Sequence, residues 1–211
     1  FIIFLKIVKN LLLETLRSLE RLIYALGIRY VGKKTAKRYA YYVVEKLSSS
    51  DVDSFAKALI DTKNLITKCS NCGMLSLSEC CEICSDKSRN RSKIMVLKDT
   101  KDIIAVEKIG EYDGLYHSLN GLISPIDGIS PDDLSIDLLE KRLSADVNEL
   151  IIATSFTPQG ETTALYLEKI FADKNITISR LGYGLPAGGD IEYVDELTLK
   201  RALKNRTSNR K

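Results

Sequence analysis

All five cysteines of the chain fall in one stretch, "CSNCGMLSLSECCEIC", residues 69–84. Cys69 with Cys72 and Cys81 with Cys84 make two CxxC pairs, eight residues apart. Each CxxC turn aims two thiolates and several backbone N–H groups at one point, and two such turns facing each other complete a tetrahedral all-sulfur shell suited to zinc. Cys80 is the spare, because using it would leave CxxxC spacing in the second turn. A disulfide pairing would need an oxidising compartment that nothing else in the sequence supports, so a cytoplasmic protein is expected. Four sulfur ligands leave no position for water, which makes the expected site structural rather than catalytic. Its task is to fasten a stretch too short and too poor in apolar residues to fold alone.

Other chemistry is sparse. His117 is the single histidine, no GxSxG accompanies it, and on an expected strand "LYHSLNG" it reads as a structural residue. "GIRYVGKK" has the GxxxxGK skeleton of a P-loop, but Lys34 follows where Ser or Thr would bind magnesium, and the preceding segment reads as helix. "GYGLPAGGD", residues 182–190, lacks GxGxxG spacing and reads as a tightly packed turn.

The elements that must position these residues follow from periodicity. Leu12, Leu16, Leu19, Ile23 and Leu26 recur at spacings of four and three, predicting an amphipathic helix up to Gly27. In the next helix, "VGKKTAKRYAYYVVEKL", Ala36, Ala40, Val43 and Val44 are expected to be buried, with Lys34, Lys37, Arg38 and Tyr41 opposite. Gly32 stands just before that helix, where free N–H groups and the dipole favour a phosphate. Two helices joined in this way predict a helix-hairpin-helix gripping a nucleic-acid backbone without reading bases. The plain alternative is a helical hairpin with a solvated basic face. From Lys93 onward, "IMVL", "LYHSL", "ELIIA" and "TISRL" read as strands between helices. Ser130, Pro131, Asp132 and Asp133 are expected to cap "LSIDLLEKRL", and "GETTALYLEKIFA" reads as a long amphipathic helix. Strand–helix alternation of this kind predicts an α/β sheet.

Composition agrees: 45% hydrophobic and 28% charged residues fit one or two packed units, not a disordered or fibrous chain. The apolar opening is broken by Lys6, Lys9, Glu14, Arg17, Glu20 and Arg21, so no membrane span is expected, and it shows no cleavage-site pattern. The chain opens at Phe1 rather than at methionine, so a few preceding residues are expected to be missing or trimmed. A net charge of +3 conceals segregation. Arg29, Lys33, Lys34, Lys37, Arg38 and Lys46 cluster against Glu45 alone, residues 200–211 carry six basic residues and no acid, and residues 111–149 carry nine acids against Lys141 and Arg142. This separation predicts a polyanion-binding surface and a distinct acidic partner surface.

The order of basic hairpin, four-cysteine knuckle, "SPIDGISPDD", "GETTALYL" and "GLPAGGDIEYVDELTLKRALKNR" resembles the RecR family of bacterial recombination proteins from about Leu12 to Arg206. "LGIRYVGKKTA" is also similar to the hairpin of NAD-dependent DNA ligases. The RecR resemblance implies a helix-hairpin-helix over residues 1–66, a zinc finger over 67–90, a Toprim domain over 91–181 and a C-terminal Walker B-like segment with a basic tail over 182–211. It implies a DNA-binding clamp that acts with RecO-like and RecF-like proteins to load the RecA recombinase at DNA gaps. It further implies a ring-like homo-oligomer, dimer or tetramer, with residues 192–206 among the contacts. Gly32, Lys33, Lys34, Lys37 and Arg38 are the expected DNA-binding residues, Lys34 and Arg38 falling where the family carries its DNA-contacting Lys and Arg.

Two departures stand out. Tyr30 occupies the place where the family usually has the first glycine of GxG. Catalytic Toprim domains hold magnesium with a glutamate after the first strand and an acidic cluster after a later one. Here Lys98 takes the first place, and "ATSFTPQGETT" offers Ser155, Thr157 and Gln159 before a lone Glu161. A non-enzyme with zinc as its tightly bound cofactor is therefore expected. The alternatives are a magnesium-dependent Toprim nuclease or primase-like enzyme using Glu161, Asp127 and Asp132, and a protein–protein adaptor whose hairpin does not hold DNA.

Overall fold

A computed structural model describes residues 2–144, 146–182, 184, 185, 188, 190–204 and 206, with only the backbone described for residues 2–13 and Leu197. The chain divides into two compact units, Phe1–Leu65 and Ile66–Lys211.

The first unit is helical. Helix α1 (Ile2–Ala25) ends at the expected glycine, and α2 (Lys33–Lys46) packs against it through Ala36 and Ala40, both fully buried. Two alanines four apart on one face let the helix backbones approach closely. Leu16, Leu19 and Ile23 are half-buried as the periodicity predicts, Leu26 lies past the helix end and is 69% exposed, and Leu12 lies outside the described side chains. Val44 departs from expectation at 66% exposed. It follows Val43 by one residue, about 100° further round the helix, and only Val43 shares the alanine face. A third helix, α3 (Ser49–Leu65), was not evident from periodicity and buries none of its residues. Ser48 and Asp51 cap its start: Asp51 accepts from the Ser48 backbone N–H (3.1 Å) and hydroxyl (2.7 Å). Among the described residues no helix is long and apolar enough to cross a membrane.

The second unit opens with a short antiparallel hairpin, β1 (Thr67–Lys68) with β2 (Leu75–Ser76), and a one-turn helix α4 (Glu82–Ser85). A parallel four-stranded sheet follows, built from β3 (Asn90–Leu97), β4 (Gly114–Ser118), β5 (Glu149–Ile152) and β6 (Thr177–Arg180) in the order β4-β3-β5-β6. All four segments are the expected strands. Alternate residues of β3 serve opposite cores, because successive strand side chains point to opposite faces. Ile94 and Val96 join Leu150, Ile152, Leu139 of α6 (Ile136–Arg142) and Ala164 and Leu167 of α7 (Pro158–Ile170). Met95 and Leu97 join Tyr116 and Ile103 of α5 (Thr100–Glu107). The sheet is thus covered on both faces, as a parallel sheet requires. The last helix among the described residues is α8 (Glu196–Lys204).

One boundary differs from expectation. Ser130 and Asp133 form a capping box, but it closes a separate 3-10 turn, Pro131–Asp133. Leu134 then runs extended and buried before α6 begins at Ile136. Burying Leu134 in the sheet core outweighs continuing the helix from its cap.

His117 is fully buried on β4. Arg142 donates to its Nδ1 (3.2 Å) and to the Tyr116 carbonyl (2.7 Å), and a guanidinium can only donate. The ring proton therefore sits on Nε2 and is donated to the Ser135 carbonyl at 2.8 Å. Burial, then the Arg142 charge, push the imidazole pKa down to about 4, so the folded chain holds it neutral. The unfolded chain protonates this group near its ordinary value of about 6.5, so stability is intact above that pH and falls as pH drops towards 4, by about 3 kcal/mol in all. Replacing His117 by Gln is expected to lower stability at neutral pH and to remove this component of the acid slope. Denaturant unfolding from pH 7 to pH 4.5 checks this, and unchanged slopes in the variant would disprove the assignment.

Candidate metal centre and nucleic-acid interface

The sulfurs of Cys69, Cys72, Cys81 and Cys84 all lie within 4.8 Å of one another, and each residue is at least nine-tenths buried. The first turn is closed by the Cys69 N–H donating to the Met74 carbonyl (2.7 Å) and the Gly73 N–H donating back to Cys69 (3.0 Å). In the second, Cys81 caps α4 and its sulfur accepts from the Cys84 N–H at 3.4 Å. The two turns meet where the Cys81 N–H donates to the Cys69 sulfur at 3.3 Å. Four sulfurs around a metal at about 2.3 Å would sit about 3.8 Å apart, so the cluster has the size and donor chemistry for one tetrahedral thiophilic ion. Its protons are unevenly shared. A hydrogen bond from Cys84 draws the Cys72 thiol down to about 5, that same bond pushes Cys84 far up, and burial pushes Cys81 up to about 11. A bound metal cation would allow all four to be thiolates together. Cys80 stands apart from the ligand set, half-buried, with its sulfur accepting from the Asn71 side-chain amide at 3.4 Å.

The knuckle is built into the sheet. The Ser118 N–H at the end of β4 donates to the Cys72 carbonyl (2.8 Å), and the Asn120 amide donates to the Gly73 carbonyl (3.1 Å). Gly73 has φ +73°, and a Cβ there would lie 2.8 Å from the Ser118 carbonyl oxygen, so both conformation and space demand glycine. Arg91 donates to the Cys84 carbonyl at 3.2 Å, and Ile83 of α4 packs on both sheet cores. None of these anchors was read from the sequence, since CxxC spacing says nothing of what lies beneath it.

In the first unit, Gly32 is the N-cap of α2 with no side-chain cap, and the first turn holds Lys33, Lys34 and no acid. The helix start therefore offers backbone N–H groups and positive charge together. Lys34, Lys37 and Arg38 are exposed and line one shallow surface with Tyr41, Tyr42, Glu45 and Lys46. Lys33 lies over the Tyr24 ring at 5.7 Å, Lys37 over Tyr41 at 5.8 Å and Arg38 over Tyr39 at 5.6 Å. All five residues expected to touch DNA are thus exposed on one hairpin.

The strand order reverses around β3, so the crevice at the carboxyl ends of β3 and β5 is where an α/β sheet ordinarily takes a ligand. Lys98 follows β3 there, its ammonium 3.9 Å from Asp99, whose carboxylate caps α5. Glu161 stands in the first turn of α7, behind the Thr157 cap. Both its carboxylate oxygens take the Arg180 guanidinium, at 3.0 and 3.1 Å, and Arg201 of α8 lies 3.6 Å away. The Arg180 and Arg201 partners were missed because they lie 19 and 40 residues downstream, beyond any local pattern. Asp127 accepts from the Ser124 hydroxyl and Asp132 is exposed in a 3-10 turn. Among the described residues the four cysteines form a metal-ligating cluster, and Glu161, Asp127 and Asp132 do not.

A model of the Toprim domain matches residues 92–182, and a model of the RecR C-terminal segment matches residues 184–207. The recombination protein RecR of Streptococcus mutans is 50% identical over 179 residues, spanning 84% of this chain and 89% of that protein. The chain belongs to the RecR family. Recombination protein RecR of Streptococcus thermophilus is 47% identical over 178 residues, and that of Lactobacillus helveticus 47% over 180, each covering 84% of this chain and 89% and 90% of theirs. The Toprim match coincides with the four-stranded sheet, and the RecR C-terminal match contains α8 and thus Arg201. The glycine-rich segment 182–190 and the basic tail fall partly outside the described residues, at Tyr183, Pro186, Ala187, Gly189, Asn205 and 207–211.

Replacing Cys69, Cys72, Cys81 or Cys84 by Ser is expected to abolish stoichiometric metal binding, and Cys80→Ser to retain it. Elemental analysis of the purified variants decides this, and metal loss from the Cys80 variant would overturn the ligand set.

Proposed function

We propose that this RecR-family chain is a DNA-binding recombinational repair protein of the cytoplasm, acting as a clamp and mediator with RecO-like and RecF-like proteins to load the RecA recombinase at gaps. The observation that carries the reading is the hairpin: an uncapped helix start with Gly32, Lys33 and Lys34, extended by Lys37 and Arg38 on the exposed surface and free of acid in its first turn. Backbone N–H groups and cations of this kind bind phosphate irrespective of base sequence. The knuckle's resident ion is zinc, held by Cys69, Cys72, Cys81 and Cys84, and its role is to hold the knuckle on the sheet. Because a single small hairpin binds weakly, useful affinity calls for several on one DNA, and hence a ring-like homo-oligomer, with residues 192–206 among its contacts.

The chain is proposed to be a non-enzyme despite its Toprim sheet. Support comes from the crevice: Lys98 places a cation where a metal-binding carboxylate would be needed, and Glu161 is engaged by Arg180 and Arg201. Its exposed acids, Asp132, Asp137 and Glu140 among them, suit a basic partner protein.

Lys34→Ala combined with Arg38→Ala is expected to weaken binding similarly on DNAs of unrelated sequence and to lower the salt-dependence slope by about two counterion units. Anisotropy titrations across salt concentrations measure this, with metal content unchanged; indifference to the double substitution refutes the hairpin reading. No magnesium- or manganese-dependent strand cleavage or primer synthesis is expected of the wild-type protein. Cleavage that Glu161→Ala abolished would establish the enzyme instead.

A further inference from the structure

Among the described residues two that are not glycine adopt positive φ, Asn120 at 60° and Tyr30 at 68°. The strain at Asn120 is offset: its amide donates to the carbonyls of Gly73 and Ser118 and to the Ser135 hydroxyl. Tyr30 has no such return from packing, for its side chain is 90% exposed. It is the third residue of a turn closed by the Val31 N–H on the Ile28 carbonyl at 3.0 Å, a place where positive φ ordinarily selects glycine. A bulky ring held there against the backbone's preference, and left in water, adds nothing to the fold that glycine would not supply more cheaply. Strain retained without a structural return points to a function.

The surroundings indicate which. Tyr30 sits two residues before Gly32 and the cationic first turn of α2, where a phosphate would be held. Farther along the helix Tyr41 and Tyr42 are 39% and 56% exposed and share one surface with Lys34, Lys37 and Arg38. Cations that follow a sugar–phosphate backbone, alternating with rings that accept base faces, are the equipment of single-strand binding. In a duplex every base face is already covered by its neighbours, and a ring finds no partner without unstacking; an unpaired base offers its face freely.

We propose that Tyr30 is a base-stacking residue that biases the hairpin towards unpaired DNA, meaning a single strand or the single-stranded edge of a gap, over continuous duplex. The proposal rests on the reading that the hairpin holds DNA, and adds to it the class of DNA preferred. Lys34 and Arg38 supply the phosphate contacts common to both forms; Tyr30 supplies the difference.

The test compares wild type with Tyr30→Gly, Tyr30→Phe and Tyr30→Trp by anisotropy on labelled oligo-thymidylate and on a blunt duplex of the same length. Stacking on one base is worth roughly ten-fold or more, so Tyr30→Gly is expected to lose about that factor on the single strand and less than about two-fold on the duplex. Tyr30→Phe is expected to retain both, and the Tyr30→Gly melting temperature to equal or exceed that of wild type because glycine relieves the turn. The chain has no tryptophan, so Tyr30→Trp introduces a sole indole whose fluorescence should be quenched by the single strand and not by the duplex. Equal losses on both DNAs, or none on either, would overturn the proposal. So would a Tyr30→Gly variant that loses self-association while binding both DNAs normally, since the ring would then serve contact between copies. Lys34→Ala with Arg38→Ala separates the two levels: if that pair loses both DNAs while Tyr30→Gly loses neither, the hairpin reading stands and the stacking role falls. If wild type binds neither DNA, both fall together.

Discussion

Four buried sulfurs within 4.8 Å of one another are the constraint on which the second unit is organised. Packed as thiols they compete for protons, and ionised without a counter-charge they would repel one another in a space that excludes water. A bound metal cation would resolve both difficulties, and would tie the β1–β2 hairpin to α4. The knuckle's outer turns then need no apolar core of their own. Its inner side is continuous with the sheet, through Cys72 on Ser118, Gly73 on Asn120 and Ile83 between the two cores. The knuckle and the Toprim sheet are therefore packed as one unit.

The same sheet lines its crevice with charges other than the carboxylate cluster that a magnesium site needs. Its crevice at the carboxyl ends of β3 and β5 is formed, and both helix starts around it are capped by side chains, Asp99 on α5 and Thr157 on α7. What differs is charge. Lys98 is a cation where an anion would hold metal, and the Glu161 carboxylate is engaged by the fork of Arg180 with Arg201 beside it. A paired, two-pronged Arg–carboxylate contact is among the stronger polar contacts in a partly exposed setting. It ties α7 to the last strand and to α8, and so connects the sheet to the RecR C-terminal segment.

Among the described side chains of the first unit the priorities are reversed, with little buried and much displayed. Ala36 and Ala40 are enough to seat α2 on α1, which leaves most of the helix circumference to lysine, arginine and tyrosine. The cations rest over rings of the same hairpin, Lys33 on Tyr24 and Lys37 on Tyr41, contacts loose enough to be exchanged for phosphate. Such a surface gains affinity from charge and number of contacts rather than from shape.

Much of this protein is written locally. CxxC spacing names the ligands because a four-residue turn is itself the chelating unit, and alternating apolar runs name the strands because side-chain direction in a strand has period two. The basic face of α2 is likewise legible, since residues three and four apart must share a side of a helix. What the tertiary structure decided is whatever joins distant segments: the partners of Glu161, the tautomer of His117 set by Arg142 and Ser135, and the seating of the knuckle on β4. It also moved the start of α6, because burying Leu134 overrode a good cap. Val44 and Tyr30 show the remaining kind. Their types were plain in the sequence, but whether a side chain is covered or left in water, and at what backbone angle, depends on neighbours brought up by folding.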